Sequence, residues 1–573
     1  MKNNILNLAI VFSLCFLSLV SCTDLLMEEH KNKVTAEFLY STPEALEYAV
    51  ISLYDIERSK VGTGQDASEP FVYLFDTGTD IDYFRAGAAA KFTRYDANFN
   101  SRAGDIRSVW VKQYSIIGKC NEILAAIEDN GMDKTDPAIK RIMGETYMFR
   151  AHAYYWLWTK FGRLYITTKP IKYNEVNNIV CTPATEEDIL KRIDEDIEDA
   201  VTYLPWELPS ENSSLLYGRF TKAVAKHLKV KMAMWEKNYQ LAATEAEEIF
   251  ARPEYGLMDE PKDVFNAANL NHKEALLVNQ FLDGKGGGGT LSGGKYTGHR
   301  LSAFTVAAYG SSSGTGSWAF ENGGFGWGRI FPNHYLLSLY DQEKDKRFKQ
   351  FFKLYYTYAE GAKLPANKLP GDTCFANTET KYYDVLHPQC EKFVDRYTMT
   401  VPNQTNGYKD AIVYRLAETY LLAAEAYMRL GDQENGRRCY NKTWMRAGND
   451  EEKRDITLQM IMDEHARELC MEGHRFSFLK RLGIDILVRQ VTTYGGDYTS
   501  KSGAAGKGLG ANIASPVKGF KSNWTAPKTG ADRRYYFNAD YANWPIPYEE
   551  RLQIGTDNFP QNCSSDMAHS GHL

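Results

Sequence analysis

Apolar side chains recur at helical spacing along much of the first half of the chain and again near its end. Within residues 105–127, Trp110, Tyr114, Ile117 and Leu124 occupy positions that share one face of a helix. The same periodicity returns in three further stretches: Tyr147, Tyr154 and Trp158; Val224, Leu228, Met232 and Trp235; and Leu416, Tyr420, Ala423, Tyr427 and Leu430. This pattern predicts an all-α fold in which antiparallel helix pairs pack through their apolar faces.

Two of the turns that follow these helices share a degenerate motif. Asn238-Tyr239 is followed by Ala242, and Leu430-Gly431 is followed by Gly436. Small residues at such positions let two helices approach closely, as in tetratricopeptide units, and stacked units leave a concave face for partners. The motif therefore favours a tetratricopeptide-like arrangement, with a generic helical bundle as the alternative.

The middle of the chain differs in composition and lacks the helical periodicity. Ala275–Phe281 is a short apolar run that predicts a strand, residues 284–328 are rich in glycine and serine, and helical character returns near Ala411. Long loops without secondary structure are uncommon in compact domains unless they are functional. The aromatic side chains within this loop are Tyr296, Trp318, Phe320, Phe325 and Trp327.

The first residues predict an export signal. Lys2 precedes an apolar stretch from Ile5 to Leu19 that is too short to span a membrane comfortably. The stretch ends in Leu19-Val20-Ser21-Cys22, which looks like the cleavage and acylation site of bacterial lipoproteins. We therefore expect residues 1–21 to be a lipoprotein signal peptide and Cys22 to be lipidated, with an ordinary secretory signal as the alternative.

Composition excludes several classes of partner. The chain has 67 basic and 73 acidic residues, so it lacks the excess of positive charge that holds nucleic acid. Besides Cys15 and Cys22 it has seven scattered cysteines and no CxxC pair, an odd and sparse set that argues against a disulfide scaffold and a zinc cluster. One bridge between Cys374 and Cys390 stays open. His465 and His474 are too far apart for a helical zinc pair. No metal and no cofactor is predicted.

The motifs that suggest catalysis are weak. Gly310–Gly314 matches the GxSxG pattern, but a glycine- and serine-rich loop produces this pattern by composition, and no periodic helix follows Ser312. Two carboxylates that cleave a glycosidic bond need only approach each other in space, and the pattern names no pair. No catalytic residue is predicted, and a glycoside-cleaving enzyme is the main alternative.

Several segments carry a family resemblance that spans essentially the whole chain. They are Gly78-Thr79-Asp80; WVKQYSIIGKCN at 110–121; ETYMFRAHAYYWLWTKFGRLY at 145–165; YRLAE at 414–418 with AEA at 424–426 and Arg446-Ala447-Gly448; ELCMEGHR at 468–475; and WPIP at 544–547 with Gln561-Asn562. Together these segments resemble the SusD/RagB family of surface glycan-binding lipoproteins. The chain departs from the family pattern at Cys470-Met471 and at Gly436, and neither change threatens the fold. Recurring arginines and glutamates usually fix packing, so Glu472 and Arg475 are not assigned to a site.

The resemblance implies an all-α fold in which about four tetratricopeptide-like units support a loop-rich ligand-binding region. It divides the chain into an N-terminal helical region, residues 22–260, and a C-terminal region with loop-rich insertions, residues 261–573. It also implies a non-catalytic lipoprotein on the outer membrane that faces the cell exterior. Such a protein binds a glycan, with a peptide as the alternative ligand, and delivers it to a TonB-dependent transporter. A tetratricopeptide-type scaffold for other proteins is a further alternative.

Two aromatic and polar loop regions are the candidate ligand site, because flat rings stack on sugars and planar polar groups bind hydroxyls. The first, residues 71–100, holds Asp80, Asp82, Tyr83, Arg85, Tyr95 and Asn98. The second, residues 296–327, holds Tyr296, Trp318, Phe325 and Trp327. The glycines that flank Phe325 and Trp327 offer little to pack against locally, which favours exposed rings. The alternative is that Tyr95 and Trp318 fasten the loops to the core.

Overall fold

The computed structural model describes residues 36–61, 77–84, 91–92, 95, 98–171, 181–206, 218–269, 271–283, 291–292, 295–296, 298–311, 315–360, 364, 366–374, 386–495 and 537–562. The helices in these ranges are α1 Ala36–Leu39, α2 Pro43–Ser59, α3 Gly104–Asp129, α4 Pro137–Phe161, α5 Glu186–Tyr203, α6 Lys222–Trp235, α7 Tyr239–Phe250, α8 Leu301–Thr305, α9 His334–Ser338, α10 Lys346–Phe351, α11 Leu416–Leu430, α12 Gln433–Arg446, α13 Leu458–Glu468, α14 Arg475–Leu482, α15 Ile484–Tyr494 and α16 Tyr548–Ile554. The strands are β1 Asp82–Phe84, β2 Ala275–Asn279, β3 Leu291–Ser292, β4 Lys295–Tyr296, β5 Ile330–Pro332, β6 Phe352–Lys353, β7 Tyr356–Thr357, β8 Thr373–Cys374, β9 Gln389–Cys390 and β10 Ala411–Arg415. Among the described helices, none combines the length and the apolar character that a membrane crossing requires.

The long helices pack as one continuous stack. Neighbours in the chain contact each other from α3 through α7, and α11 then packs against α7. α12 folds back on α11, and α13 also contacts α11. The short connections within α3/α4, α6/α7 and α11/α12 make the partners antiparallel hairpins. The predicted all-α fold of tetratricopeptide-like helix pairs is confirmed.

Side-chain caps determine where several of these helices begin. Thr42 and Asp136 each precede a proline and accept hydrogen bonds from backbone N–H groups of the first turn. Asn238 caps α7 and Asp432 caps α12 in the same way. Gly431 ends α11 with a φ of 80°, a left-handed conformation that glycine adopts at little cost. The last three caps lie in the two turns that share the sequence motif.

Most of the apolar side chains predicted from periodicity lie in the core or pack against it. Trp110 and Ile117 are fully buried, as is Ala242 at the contact between α6 and α7. At Gly436 an added methyl group would lie 3.5 Å from the carbonyl oxygen of Ala424 in the neighbouring helix. Small residues therefore do bring these helix pairs together, as the motif predicted.

One element differs from its prediction. Residues 411–415 form strand β10 rather than the start of a helix, because β10 pairs antiparallel with β2 and places Ala411 opposite Asn279. The apolar run AIVYR passes directly into α11, and periodicity alone does not separate the two. The predicted strand at Ala275–Phe281 is confirmed over Ala275–Asn279.

A network of buried ion pairs ties this sheet to the helices. Arg415 donates through Nη1 to Glu274 at 2.8 Å and to Glu468 at 2.7 Å, and through Nε to Glu472 at 2.6 Å. Arg347 also donates to Glu468, at 2.8 Å. Removing one partner of such a network leaves an uncompensated buried charge, so each group requires the others. Glu472 thus has the packing role that the sequence interpretation gave it.

Some sequence predictions concern residues outside the described ranges, and others are not confirmed by the structure. Cys22 and Ser312 lie outside the described residues. Cys374 and Cys390 are both free thiols in the structure. The division of the chain at residue 260 stays a prediction.

Candidate functional site

The glycine-rich stretch folds back on itself and forms a backbone frame. After the short helix α8 the chain turns and returns at Trp327. The N–H group of Trp327 donates to the carbonyl oxygen of Ala303 at 2.7 Å, and that of Arg329 donates to Phe304 at 2.9 Å. The returning segment continues directly into β5. Hydrogen bonds to a helix and pairing in a sheet therefore hold this side of the loop in place.

Tyr309 fixes the centre of this frame. Its ring is fully buried and stacks on Tyr356 with ring centroids 5.0 Å apart. Its hydroxyl oxygen lies 2.8 Å from the carbonyl oxygens of Ala319 and Gly324 and accepts a hydrogen bond from Ala319 N. Burial raises the pKa of Tyr309, so the hydroxyl keeps its proton. One side chain thus joins two separate parts of the loop.

Two glycines are required by close approach. A methyl group on Gly326 would lie 2.3 Å from the carbonyl oxygens of Val306 and Ala307, and one on Gly310 would lie 2.3 Å from the ring of Trp318. Such distances are far below van der Waals contact. The glycines therefore serve backbone and ring packing, and they do not leave the neighbouring rings as open as the sequence argument expected.

Three aromatic side chains form a contiguous series on this frame. The centroids of Trp318 and Phe325 are 4.8 Å apart, and those of Phe325 and Trp327 are 5.5 Å apart. The ring of Phe304 packs against that of Trp327, with ring centroids 5.4 Å apart. All three outer rings are partly exposed. We call Trp318, Phe325 and Trp327 the aromatic row.

Polar groups stand at one end of the aromatic row. The guanidinium of Arg300 lies 5.7 Å from the centroid of Trp327. Its Nε donates to Oδ1 of Asn406 at 3.2 Å, and the same oxygen accepts from the Thr405 hydroxyl at 3.2 Å. Sequence reasoning missed Arg300 and Asn406, because only the fold brings residues 300, 327 and 406 together.

The two predicted loop regions are neighbours in space. β1 pairs antiparallel with β5, so that Tyr83 lies opposite Phe331, shortly after the end of the aromatic row. The backbone of Tyr83 is described and its side chain is not, and the same holds for Tyr296 on β4. Arg85 lies outside the described residues. Tyr83, Arg85 and Tyr296 therefore stay predictions.

Asp80 and Asp82 are parts of the fold's interior. Asp80 is fully buried, and its two carboxylate oxygens accept hydrogen bonds from Arg475 at 2.8 and 2.7 Å. Asp82 is also buried and accepts hydrogen bonds from Gly78 N at 3.2 Å and from the Thr79 hydroxyl at 3.1 Å. Neither carboxylate faces solvent in this structure, so we do not carry them into the candidate site.

Tyr95 also has a structural environment. It is 2% exposed, its hydroxyl donates to the carbonyl oxygen of Gly78 at 2.8 Å, and its ring packs on Phe537 and Tyr541. This matches the alternative in which Tyr95 fastens its loop to the core. Asn98 is exposed in a turn close by.

A cleft with a volume of about 510 Å³ is a second candidate surface. Tyr397, 70% exposed, lines it together with polar side chains that include Asn266, Gln350, Glu391 and Arg396. Arg396 also donates to the carbonyl oxygen of Phe320 at 2.7 Å, which places the cleft beside the loop that carries the aromatic row. An exposed tyrosine among planar polar groups is another arrangement that suits a sugar.

Two carboxyl groups with raised pKa values lie on α4 and directly before β10. Burial raises the pKa of Glu145 on α4 to about 7, against the opposing effect of Arg219. Burial likewise raises the pKa of Asp410 to about 7, and its carboxylate accepts a hydrogen bond from Phe281 N. Within the described ranges, no group of three or more His, Cys, Asp or Glu side chains is placed to hold a metal ion.

Two family models match separate parts of the chain. Residues 274–562 match the SusD family, and residues 30–232 match a family described as starch-binding and associating with the outer membrane. A SusD-like protein of Formosa agariphila is 24% identical over 531 residues, which is 86% of this chain and 92% of the relative. The starch-binding protein SusD of Bacteroides thetaiotaomicron is 40% identical over 84 residues, 15% of each chain.

Solved structures share the fold over almost the whole chain. A laminarin-binding SusD-like protein superimposes with a TM-score of 0.65 at 22% identity and covers 92% of this chain and 100% of its own. Surface glycan-binding protein A of Bacteroides thetaiotaomicron gives a TM-score of 0.66 at 21% identity, with coverage of 91% and 99%. The matched models, the coverage and the stack of helix pairs agree on one conclusion. This chain belongs to the SusD family.

Proposed function

We propose that this chain is a glycan-binding lipoprotein of the outer membrane that faces the cell exterior and passes its ligand to a TonB-dependent transporter. The observation that carries the proposal is the aromatic row, in which three partly exposed rings stand side by side on a buried frame. Related proteins are described as laminarin-binding, as surface glycan-binding and as starch-binding.

The aromatic row suits carbohydrate for a physical reason. A sugar ring presents C–H groups on its faces, and flat apolar rings that are already fixed in place bind such faces without losing side-chain freedom. The buried contacts of Tyr309 and the backbone bonds at Trp327 provide that fixation. Each stacking ring contributes on the order of 1 kcal/mol beyond the area that it buries.

A glycan array followed by titration calorimetry tests the proposal. Trp327→Ala and Phe325→Ala should each weaken binding of an array hit several-fold, whereas Tyr48→Ala, which removes a ring 62% exposed on α2, should not. In the same experiment, Tyr83→Ala tests the predicted ring on β1, and Tyr397→Ala tests the cleft. Thermal melts of every variant separate lost contacts from lost folding. Unchanged affinity in both row variants, with a loss in Tyr397→Ala, would move the site to the cleft.

The transporter part of the proposal needs its own experiment. Purification in detergent from cells that express the candidate transporter should recover both proteins together. Consistent recovery of this chain alone would count against the delivery function. Recovery with soluble periplasmic proteins instead would favour the scaffold alternative.

The enzyme alternative is tested directly. Purified protein incubated with the polysaccharides that it binds should release no new reducing ends. Steady turnover that disappears on substitution of one carboxylate would replace binding by glycoside cleavage as the function.

A further inference from the structure

We propose that the ligand is an anionic glycan, one that carries carboxylate or sulfate groups, and that Arg300 selects it. This inference rests on the proposed function, because it assigns a charge preference to the same surface. The observation behind it is a guanidinium that stands at the end of the aromatic row and has no counter-charge among the residues that the structure describes.

The position of Arg300 is defined by two contacts. Its guanidinium lies over the ring of Trp327, and its Nε donates to Asn406 Oδ1. The two Nη groups make no hydrogen bond to any described residue, and no carboxylate in the described part of the chain lies within 4.0 Å of them. Arg300 is only partly buried, so these donors are open to a ligand.

Other arginines of this chain are used differently. Arg347, Arg415 and Arg475 are buried and face carboxylates within the fold. Arg396, which contacts the same loop, is paired with Glu391 at 2.7 Å. Arg300 therefore places a positive charge beside the aromatic row that no partner in the described residues neutralises.

The chemistry of the guanidinium decides which ligand this charge favours. The Nε bond and the ring of Trp327 hold the plane of the group, which leaves the two Nη groups as a fork. Such a fork matches two oxygens of a carboxylate or a sulfate, whereas a neutral hydroxyl uses only one donor. A sugar that stacks on the row can thus direct an acidic substituent toward Arg300.

The test uses acidic polysaccharides together with neutral forms of the same backbone. The probes are pectate with its carboxyl-reduced form and carrageenan with its desulfated form, and laminarin and starch serve as neutral references. Binding to the full mature chain is measured by titration calorimetry with a thermal melt alongside. The wild-type protein should bind one acidic form about tenfold more tightly than its neutral counterpart, with a preference that falls as salt rises. The carboxylate and sulfate arms identify which group is recognised.

Two variants locate the preference. Arg300→Gln should bring the acidic and neutral forms to equal affinity, whereas Arg437→Gln, which removes the same charge from the exposed face of α12, should keep the preference. A wild-type protein that binds only neutral glycans would overturn this inference and leave the proposed function standing. An equal loss of acidic and neutral binding in Arg300→Gln would also overturn it. Absence of binding to every glycan would instead remove the proposed function itself.

Discussion

Arg475 forms a bidentate ion pair with Asp80, a residue 395 positions earlier in the chain. Nε and Nη2 of the arginine lie 2.8 and 2.7 Å from the two carboxylate oxygens, and Nη1 donates to the carbonyl oxygen of Met462. Both side chains are buried. The segment that leads into β1, the strand that pairs with β5, is therefore bonded to the start of α14.

Substitution of Asp80 should destabilise the whole protein. Asp80→Asn leaves the buried charge of Arg475 without compensation, and removal of one partner from a buried pair costs about 3 to 5 kcal/mol in the free energy of unfolding. The matched control is Asp55→Asn, because Asp55 is 68% exposed and pairs with Arg58 on the same helix. It should cost less than about 1 kcal/mol. Equal effects in denaturant titrations would contradict the assignment of Asp80 to the core.

A methyl group at Gly326 should damage the candidate site. Gly326→Ala would place a carbon 2.3 Å from two carbonyl oxygens, so the returning segment must move and take Phe325 and Trp327 with it. We expect a lower melting temperature and glycan affinity reduced by about tenfold or more, as a displaced contact surface requires. Gly104→Ala is the control, because nothing lies within 4 Å of the added carbon there. Equal melting temperatures and affinities in the two variants would show that the close approach has no role.

The pH dependence of stability should change when Glu145 is replaced. In the folded protein burial raises the pKa of Glu145 to about 7, from a usual value of 4.5, so the folded state binds the proton more tightly than the unfolded state does. The contribution of Glu145 to stability is therefore full below pH 4.5 and is lost as pH rises toward 7. Burial lowers the pKa of His152 from 6.5 to about 4. The contribution of His152 to stability therefore has the opposite sign and grows as pH rises through the same range.

Glu145→Gln isolates the first of these effects. Because only the histidine contribution of the two remains, the free energy of unfolding should rise more steeply between pH 4.5 and 7 in the variant than in the wild type. Denaturant titrations at four or five pH values measure it. Parallel profiles for the two proteins would mean that Glu145 is ionised in the folded state.

Loss of the proposed lipid anchor should release the protein. Cys22→Ala removes the acylated residue, and without a lipid chain only contact with a transporter would hold the protein at the membrane. In cells that lack the transporter, the variant should therefore fractionate away from membranes while the unsubstituted chain stays with them. A variant that remains fully membrane-bound in those cells would show that Cys22 is not the anchor.

The helices were predictable because their cause is local. Trp110 and Ile117 share a face at helical spacing. Asn238 and Gly431 are capping residues, and each lies directly next to the helix that it caps. β10 was not predictable in the same way, because its apolar run is continuous with α11. Its partner β2 lies more than a hundred residues earlier, and only the folded chain brings the two together.

The candidate site was predictable only in part. Composition and glycine content identified the loop that holds Trp318 and Trp327, because a long loop with several aromatic side chains is uncommon in a compact domain unless it is functional. They did not separate these rings from Tyr95 in the first loop region, which is buried against Tyr541 from the far end of the chain. The position of Arg300 likewise depends on Asn406, a contact between distant parts of the sequence.

Among the described residues, the hydroxyl of Tyr309 bonds only to main-chain groups of the loop, at Ala319 and Gly324. Peptide groups are common to all residues, so this bond survives exchange of the side chains around it. Homologues or engineered variants can then vary the outward rings at positions 325 and 327 while the loop backbone keeps its path. Ligand preference becomes a trait that changes by single substitutions, separately from the stability of the scaffold beneath it.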